Sequence, residues 1–204
     1  MPLEAKDLSF RYKKSRWILD RVHLELQPGQ VLGISGPSGC GKSTLARILA
    51  GYEKPLAGGV TLGGRPLPQK GFNPVQLISQ HPEKAVNPRW RMHRTLNEGF
   101  RPDDIVLSSL GIEKKWLKRW PNELSGGELQ RFCLARALGP QTRFVIADEI
   151  STMLDPVTQA QIWSVLLDSV KKRNMGLLAI SHDKNLLMRI SSMIIIWEDM
   201  MMGS

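Results

Sequence analysis

Gly36-Pro37-Ser38-Gly39-Cys40-Gly41-Lys42-Ser43-Thr44 stands between an apolar run, Val31-Leu32-Gly33-Ile34, and a run with helical spacing, Leu45-Ala46-Arg47-Ile48-Leu49. The pattern G-x-x-x-x-G-K-S marks a phosphate-binding loop when a buried strand precedes it and a helix follows. Its glycines let the backbone turn so that successive N–H groups point inward at an anion, and the new helix adds its free N-terminal N–H groups and the positive end of its dipole. Lys42 then supplies a point charge for the β- and γ-phosphates and Ser43 a hydroxyl for Mg²⁺. The stretch implies that the chain binds a nucleoside triphosphate.

Working outward, the 204 residues suit one good-sized core with at most a subdomain attached. Hydrophobic content of 42% and charged content of 23% are those of a soluble globular chain. The longest apolar run, Met193-Ile194-Ile195-Ile196-Trp197, has strand length and falls far short of the roughly 20 residues of a membrane span. The N-terminus has no signal-peptide profile, and two cysteines, Cys40 and Cys133, make no disulfide framework, so a cytoplasmic setting is expected. The net charge of +9 gathers at Arg11 to Arg21, Arg89 to Arg94, Lys114 to Arg119 and Lys171 to Arg173. Clusters so dispersed read as solvated faces around a polyanionic nucleotide, with nucleic acid or an anionic membrane surface as the alternatives.

Residues 3 to 10 and 20 to 27 read as strands, the second alternating as Val22-His23-Leu24-Glu25-Leu26. Tyr12, in the basic connection between them, is a candidate to stack on a nucleobase, with Trp17 its rival. Gly58 to Gly64 looks like a short hairpin, and Val75 to Ser79 a buried strand ending at Gln80. Residues 81 to 123 then lose strand pattern, gain prolines, and offer helical runs at Asp103 to Leu110 and Ile112 to Trp120. The second run sets Trp116 and Trp120 on one face at i, i+4, either as packing for a small helical lobe or as a docking face. Ser125 and Glu128 have capping-box spacing, so a helix starts there. Gly126 and Gly127 in its first turn are poor helix formers that make sense if a second phosphate approaches closely.

Phe144-Val145-Ile146-Ala147 is a buried strand that ends in two carboxylates, Asp148 and Glu149. Downstream of a phosphate loop, the first fits a ligand of Mg²⁺ or its water and the second a base for an attacking water. Asp155-Pro156 opens an amphipathic helix running to about Arg173, as N-cap and N1. The strand Gly176 to Ile180 ends in Ser181-His182-Asp183, which places His182 at the same sheet edge as Asp148 and suits it to sense a γ-phosphate.

Taken in order, these motifs resemble the ATP-binding subunits of ABC transporters over nearly the whole chain. Gly36 to Thr44 looks like their Walker A, Gln80 their Q-loop glutamine, and Leu124-Ser125-Gly126-Gly127-Glu128 their signature motif. Phe144 to Asp148 resembles Walker B, Glu149 the catalytic glutamate, Thr152-Met153-Leu154-Asp155 the D-loop, His182 the switch histidine and Tyr12 the A-loop aromatic. The resemblance implies an α/β P-loop NTPase core with an antiparallel β subdomain and a small helical subdomain, forming one ATP-binding domain over 1–204. Residues 1–80 and 136–204 would make the nucleotide-binding lobe, and 81–135 the helical subdomain with the signature.

It also implies ATP and Mg²⁺ as cofactors. Lys42, Gln80, Glu149 and His182 would be catalytic, and Ser43, Gln80 and Asp148 would serve the metal. Tyr12, Gly36, Pro37, Ser38, Gly39, Cys40, Gly41, Lys42, Ser43, Thr44, Ser125, Gly126, Gly127, Glu128 and Asp155 would hold the nucleotide. ATP would lie between the Walker A of one subunit and the signature of another. The implied partners are a second ATPase subunit, two transmembrane permease subunits and, indirectly, an extracytoplasmic solute-binding protein, at the cytoplasmic face of the membrane.

Ser38 to Arg47, Gln80-His81-Pro82 with Asn87-Pro88-Arg89, and Leu129-Gln130-Arg131 look most like the peptide, nickel and opine-metal importers, as the second ATPase of a pair. Glu128, Ile150 and Met153 depart from the commoner residues, and those importers carry further residues after the last core strand, so a trimmed form ending in Gly203-Ser204 is expected. The rival reading is a soluble ATPase of the same type acting on nucleic acid or within a non-transport enzyme complex. Its DNA-repair members carry long coiled coils or zinc-binding inserts, and residues 81 to 123 are too short for the first and lack cysteines for the second.

Overall fold

The computed structural model describes residues 1–13, 16–152 and 154–202. Two sheets carry the fold. An antiparallel sheet has the order β2-β1-β4-β5, from β1 (Leu3–Phe10), β2 (Leu19–Leu26), β4 (Ala57–Leu62) and β5 (Arg65–Pro66). A parallel sheet has the order β6-β7-β8-β3-β9, from β3 (Val31–Ser35), β6 (Val75–Ile78), β7 (Phe144–Asp148), β8 (Gly176–Ile180) and β9 (Met193–Ile196).

The burial patterns follow from what covers each sheet. β2 alternates, with Leu19, Val22, Leu24 and Leu26 inward and charged residues outward, because one face meets solvent. β7 and β8 are buried at every position, as befits parallel strands covered on both faces. Phe144, Ile146, Leu178 and Ile180 join a core shared with the antiparallel sheet and with α1 (Lys42–Leu49). Val145, Ala147, Leu177 and Ala179 join a second core under α4 (Gly126–Ala137), α5 (Pro156–Arg173) and α6 (Lys184–Ile190).

Between β6 and β7 the described residues form α2 (Met92–Leu96), α3 (Asp104–Ser109) and α4, with three short 3₁₀ turns. Here the structure corrects two expectations. The run after Ile112 is a 3₁₀ turn, Lys114–Lys118, and not an α-helix. A 3₁₀ turn eclipses i and i+3, not i and i+4, and Trp120 already lies in extended backbone, so the two tryptophans part company. Trp116 is 7% exposed in the core, while Trp120 is 37% exposed beneath the Arg91 guanidinium. The glycine hairpin also shifts, its turn falling at Gly63-Gly64, both at positive φ, between β4 and β5. Trp197 leaves the last strand to begin α7 (Trp197–Met202). Met153 of the D-loop and Gly203-Ser204 lie outside the described residues.

Candidate active site

Four segments reach the carboxyl edge of the parallel sheet: the loop after β3, Gln80 after β6, Asp148 and Glu149 at the end of β7, and His182 after β8. Parallel strands deliver their C-termini to one edge, so residues more than a hundred positions apart meet there. The register pairs Ile78 with Ala147 and Asp148 with Ile180, which puts Gln80 level with Glu149 and His182 just beyond it.

Lys42 is buried and its ammonium donates to the carbonyl oxygens of Gly36 at 2.8 Å and Pro37 at 2.6 Å. The loop is thus folded around its own lysine, whose charge is held at the inner side where an anion would enter. Gly41, the N-cap of α1, has φ +123°, backbone that an L side chain rarely adopts. Cys40 Sγ lies 3.7 Å from the same ammonium.

Asp148 is 7% exposed, and its Oδ1 has no hydrogen-bond partner. Burial pushes its carboxyl above the usual range, aided by the Glu149 charge and opposed by a hydrogen bond from Ser43 and by Arg47 and Lys42. An orphaned buried carboxylate oxygen beside a serine hydroxyl is a hard-oxygen donor set that fits Mg²⁺. Among the described residues no three His, Cys, Asp or Glu side chains cluster as metal ligands, so other ligands would have to be nucleotide and water oxygens.

Glu149 has φ +50°, left-handed backbone that costs a non-glycine residue about 1–2 kcal/mol. The strain is held by a hydrogen bond from its N–H to the Ile180 carbonyl at 3.0 Å, and it turns the carboxylate back over the sheet edge. His182 Nδ1 stands 3.5 Å from that carboxylate. Asp183 follows as the N-cap of α6, accepting from Leu186 N–H at 3.1 Å, which fixes the backbone beside the histidine.

Tyr12 and Trp17 are comparably exposed, and each is engaged differently. Arg47 of α1 donates to the Tyr12 hydroxyl at 3.4 Å, and Phe10 meets the Tyr12 ring edge-on at 4.9 Å. Trp17 lies under the Arg11 guanidinium and precedes Ile18, which packs against Gly41.

The signature residues follow no strand of this sheet directly and lie at the start of α4. Ser125 and Glu128 form a reciprocal capping box: Glu128 N–H donates to the serine hydroxyl at 3.2 Å and Ser125 N–H to the glutamate at 2.7 Å. A Cβ added at Gly126 would meet nothing within 4 Å, so no packing inside this chain demands a glycine there. Asp155 caps α5, accepting from Val157 and Thr158 N–H groups, and those bonds hold its carboxyl below the usual range.

Ser151 was not singled out by the sequence, and Arg131 and Trp197 entered only as members of longer runs. The Ser151 hydroxyl accepts from Trp163 Nε1 at 3.1 Å and from Gln159 Nε2 at 3.2 Å, anchoring the loop after Glu149 to α5. Arg131 donates to Gln161 at 2.7 Å, tying α4 to α5. A serine, an arginine or a tryptophan carries no local pattern that announces such a contact; only the tertiary arrangement does.

A phosphate loop after β3, a carboxylate pair at the end of β7 one strand beyond its neighbour β8, and a capped glycine helix start define an ATPase of the ATP-binding cassette class. The ABC transporter family profile matches residues 19–152, and the chain belongs to that family, as an ATP-hydrolysing subunit. It is 33% identical to the nickel import system ATP-binding protein NikE of Staphylococcus aureus (strain bovine RF122 / ET3-1), over 97% of this chain and 87% of the relative. The counterpart from strain N315 is 32% identical over the same shares. Among solved structures, a dimeric bacterial ABC transporter cassette is similar at a TM-score of 0.80 and 24% identity, over 95% of this chain and 93% of that one. A dimeric post-hydrolysis cassette bound to ADP and Pi is similar at 0.79 and 23%, over the same shares. These likenesses establish the fold as that of an ABC ATPase cassette.

Proposed function

We propose that this chain powers an importer for nickel, free or as an opine-type metal chelate, with short peptides the next cargo to test. The observation that carries the proposal is the likeness to the nickel import ATP-binding protein along nearly the whole chain, together with a site in which each expected catalytic group is present. No helix among the described residues is long and apolar enough to cross a membrane, so the transport path would belong to two permease subunits, with this chain at their cytoplasmic face. A solute-binding protein would deliver cargo from the other side, and nucleic acid has no part in this reading.

The reaction is ATP hydrolysis. Lys42 and the inward N–H groups of the loop from Ser38 to Thr44 would bind the β- and γ-phosphates. Ser43, Asp148 and Gln80 would hold Mg²⁺, directly or through water, and when bound the ion neutralises charge on the phosphates. Glu149 would orient and polarise the attacking water, and His182 would donate to the γ-phosphate as its charge redistributes. Tyr12 would stack on the base.

Ser125, Gly126, Gly127 and Glu128 would face the ATP of a second ATPase, so that binding closes the pair and hydrolysis opens it. The open space at Gly126 supports this: a partner's phosphate can approach the helix start without meeting a side chain. Residues 1–80 and 136–204 act as the nucleotide lobe and 81–135 as the lobe that moves against it. A cleft of about 670 Å³ behind Ser79, lined by Phe72, Leu77, Phe100 and Arg136 among others, lies between the two and offers a seat for the permease beside Gln80.

The test is reconstitution in lipid vesicles with the cognate permease subunits. ATP-dependent uptake of radiolabelled nickel, or of a nickel chelate, is expected, and uptake of neither while a short peptide is carried would overturn the cargo assignment.

A further inference from the structure

The register of the last strand sets one side chain against the phosphate loop from behind. Ser35 of β3 pairs with Ile196 of β9, so the next residue, Trp197, falls beside Gly36. Trp197 is 4% exposed, and its two ends touch the two ends of the loop. A Cβ on Gly36 would lie 2.5 Å from Trp197 Cβ and 3.3 Å from Cγ. A Cβ on Gly41 would lie 3.0 Å from Cζ2 and 3.4 Å from Cη2 of the same indole, and 2.5 Å from Ile18 Cγ2. The indole therefore spans the gap between the first and last glycines, and no side chain at either position fits over it. Lys42 grips Gly36 and Pro37 from the opposite, inner side. Met200 and Met201 pack α7 into the core shared with the antiparallel sheet, which fixes the tryptophan in turn.

We propose that Trp197 is a positioning residue for nucleotide binding, a rigid brace that keeps the Gly36–Gly41 loop in its anion-ready shape before ATP arrives. The inference rests on the reading of that loop as the ATP site. An indole is flat and stiff, and close-packed neighbours transmit its removal as displacement, not as slack. Without it the glycines have the freedom to sink into the vacated space, turning their N–H groups away from the phosphates, and ordering them again must be done by the ligand.

The experiment compares the wild-type chain with Trp197→Ala, Trp197→Phe and Trp116→Ala, the last a control that opens a different part of the core. ATP dissociation constants are measured by calorimetry well below each variant's melting temperature. Trp197→Ala is expected to weaken ATP binding at least tenfold, and Trp197→Phe to restore it to within about threefold. Trp116→Ala is expected to lose stability with unchanged affinity. In chain labelled with 5-fluorotryptophan, the ¹⁹F line missing from Trp197→Phe is expected to move on adding ADP, while the Trp116 line stays. Should Trp197→Ala fail to fold, that line and the Phe variant decide. Wild-type binding with an unmoved Trp197 line, equal affinity in Trp197→Ala, or loss that Phe does not rescue, would each overturn the brace. A wild-type chain that bound no ATP would remove the nucleotide-site reading and the brace with it.

Discussion

His182 Nδ1 lies 3.5 Å from the Glu149 carboxylate, although the two side chains leave different strands and are 33 positions apart. The contact exists because β7 and β8 are neighbours in register, with Asp148 opposite Ile180, and because Glu149 accepts left-handed backbone to turn toward its neighbour. On the proposed reading the pair would flank the place where a water and a γ-phosphate meet. The Glu149 side chain is 16% exposed and that of His182 58%, so the histidine forms the open side of the pair.

Glu149→Gln is accordingly expected to keep ATP affinity within a few-fold and to lower kcat by roughly 10²–10⁴, the usual worth of a positioned base. The amide keeps size and the strained turn but cannot polarise water. Steady-state phosphate release by the assembled transporter, beside ATP binding to the same variant, checks it. His182→Ala is expected to lower kcat by about 10²-fold or more, with little change in binding.

Asp148 supplies a prediction about stability. An unfolded aspartate titrates near 3.9, and burial holds the native carboxyl higher. Between those two values the native state binds more protons than the unfolded one, so the stability of the nucleotide-free chain falls as pH rises through that interval and stays reduced above it. Asp148→Asn removes the buried charge. At neutral pH without nucleotide it is expected to melt at a higher temperature than wild type, while losing Mg²⁺-dependent hydrolysis. Thermal unfolding across pH, with and without Mg-ATP, checks both halves; wild type and variant melting alike at every pH would refute the first.

The two cysteines should differ sharply toward a thiol reagent. Cys133 is buried, and burial pushes its thiol up to about 12, leaving it neutral and inert. Cys40 is partly exposed inside the phosphate loop, 3.7 Å from the Lys42 ammonium. N-ethylmaleimide is expected to inhibit ATPase activity through Cys40, with Mg-ATP protecting. Inhibition that persists in Cys40→Ser would move the reactive site elsewhere.

How much of this was legible in sequence depends on how local the cause is. The phosphate loop, the Ser125–Glu128 cap and the Asp155-Pro156 helix start are written in consecutive residues, and the backbone obeys them directly. The place of Asp148 and Glu149 at the carboxyl end of β7 was legible because the apolar run before them stops at a carboxylate pair. Trp116 and Trp120 misled because helical spacing was read where a 3₁₀ turn formed, between prolines that interrupt regular backbone. Trp197 was invisible as more than a strand residue, since its contact with Gly36 and Gly41 depends on which strand lies beside β3 and in what register. The left-handed turn at Glu149 is likewise a tertiary product, because nothing in Asp148-Glu149-Ile150 favours positive φ.

The last prediction concerns assembly. The signature residues lie at the start of α4, whereas Lys42, Asp148, Glu149 and His182 belong to the segments after β3, β7 and β8, so on the proposed reading one chain would hold two half-sites. The first N–H groups of α4 are partly satisfied by the capping box, and the space at Gly126 is open to a ligand from outside. The isolated chain is therefore expected to be a poor ATPase and monomeric at micromolar concentration. Glu149→Gln, which holds ATP without cleaving it, is expected to associate when ATP is added and to fall apart when ATP is replaced by ADP. A second, different ATPase encoded alongside is expected to be the better partner, as for the paired importers this chain resembles. Light scattering or native mass spectrometry of the variant, alone and with that candidate, with ATP and with ADP, decides. ATP-dependent heterodimers in preference to homodimers support two unequal composite sites. A stable homodimer that hydrolyses ATP rapidly once Glu149 is restored would rule out the heteromeric pair and keep the shared site, and nucleotide-independent mass in every mixture would rule out both.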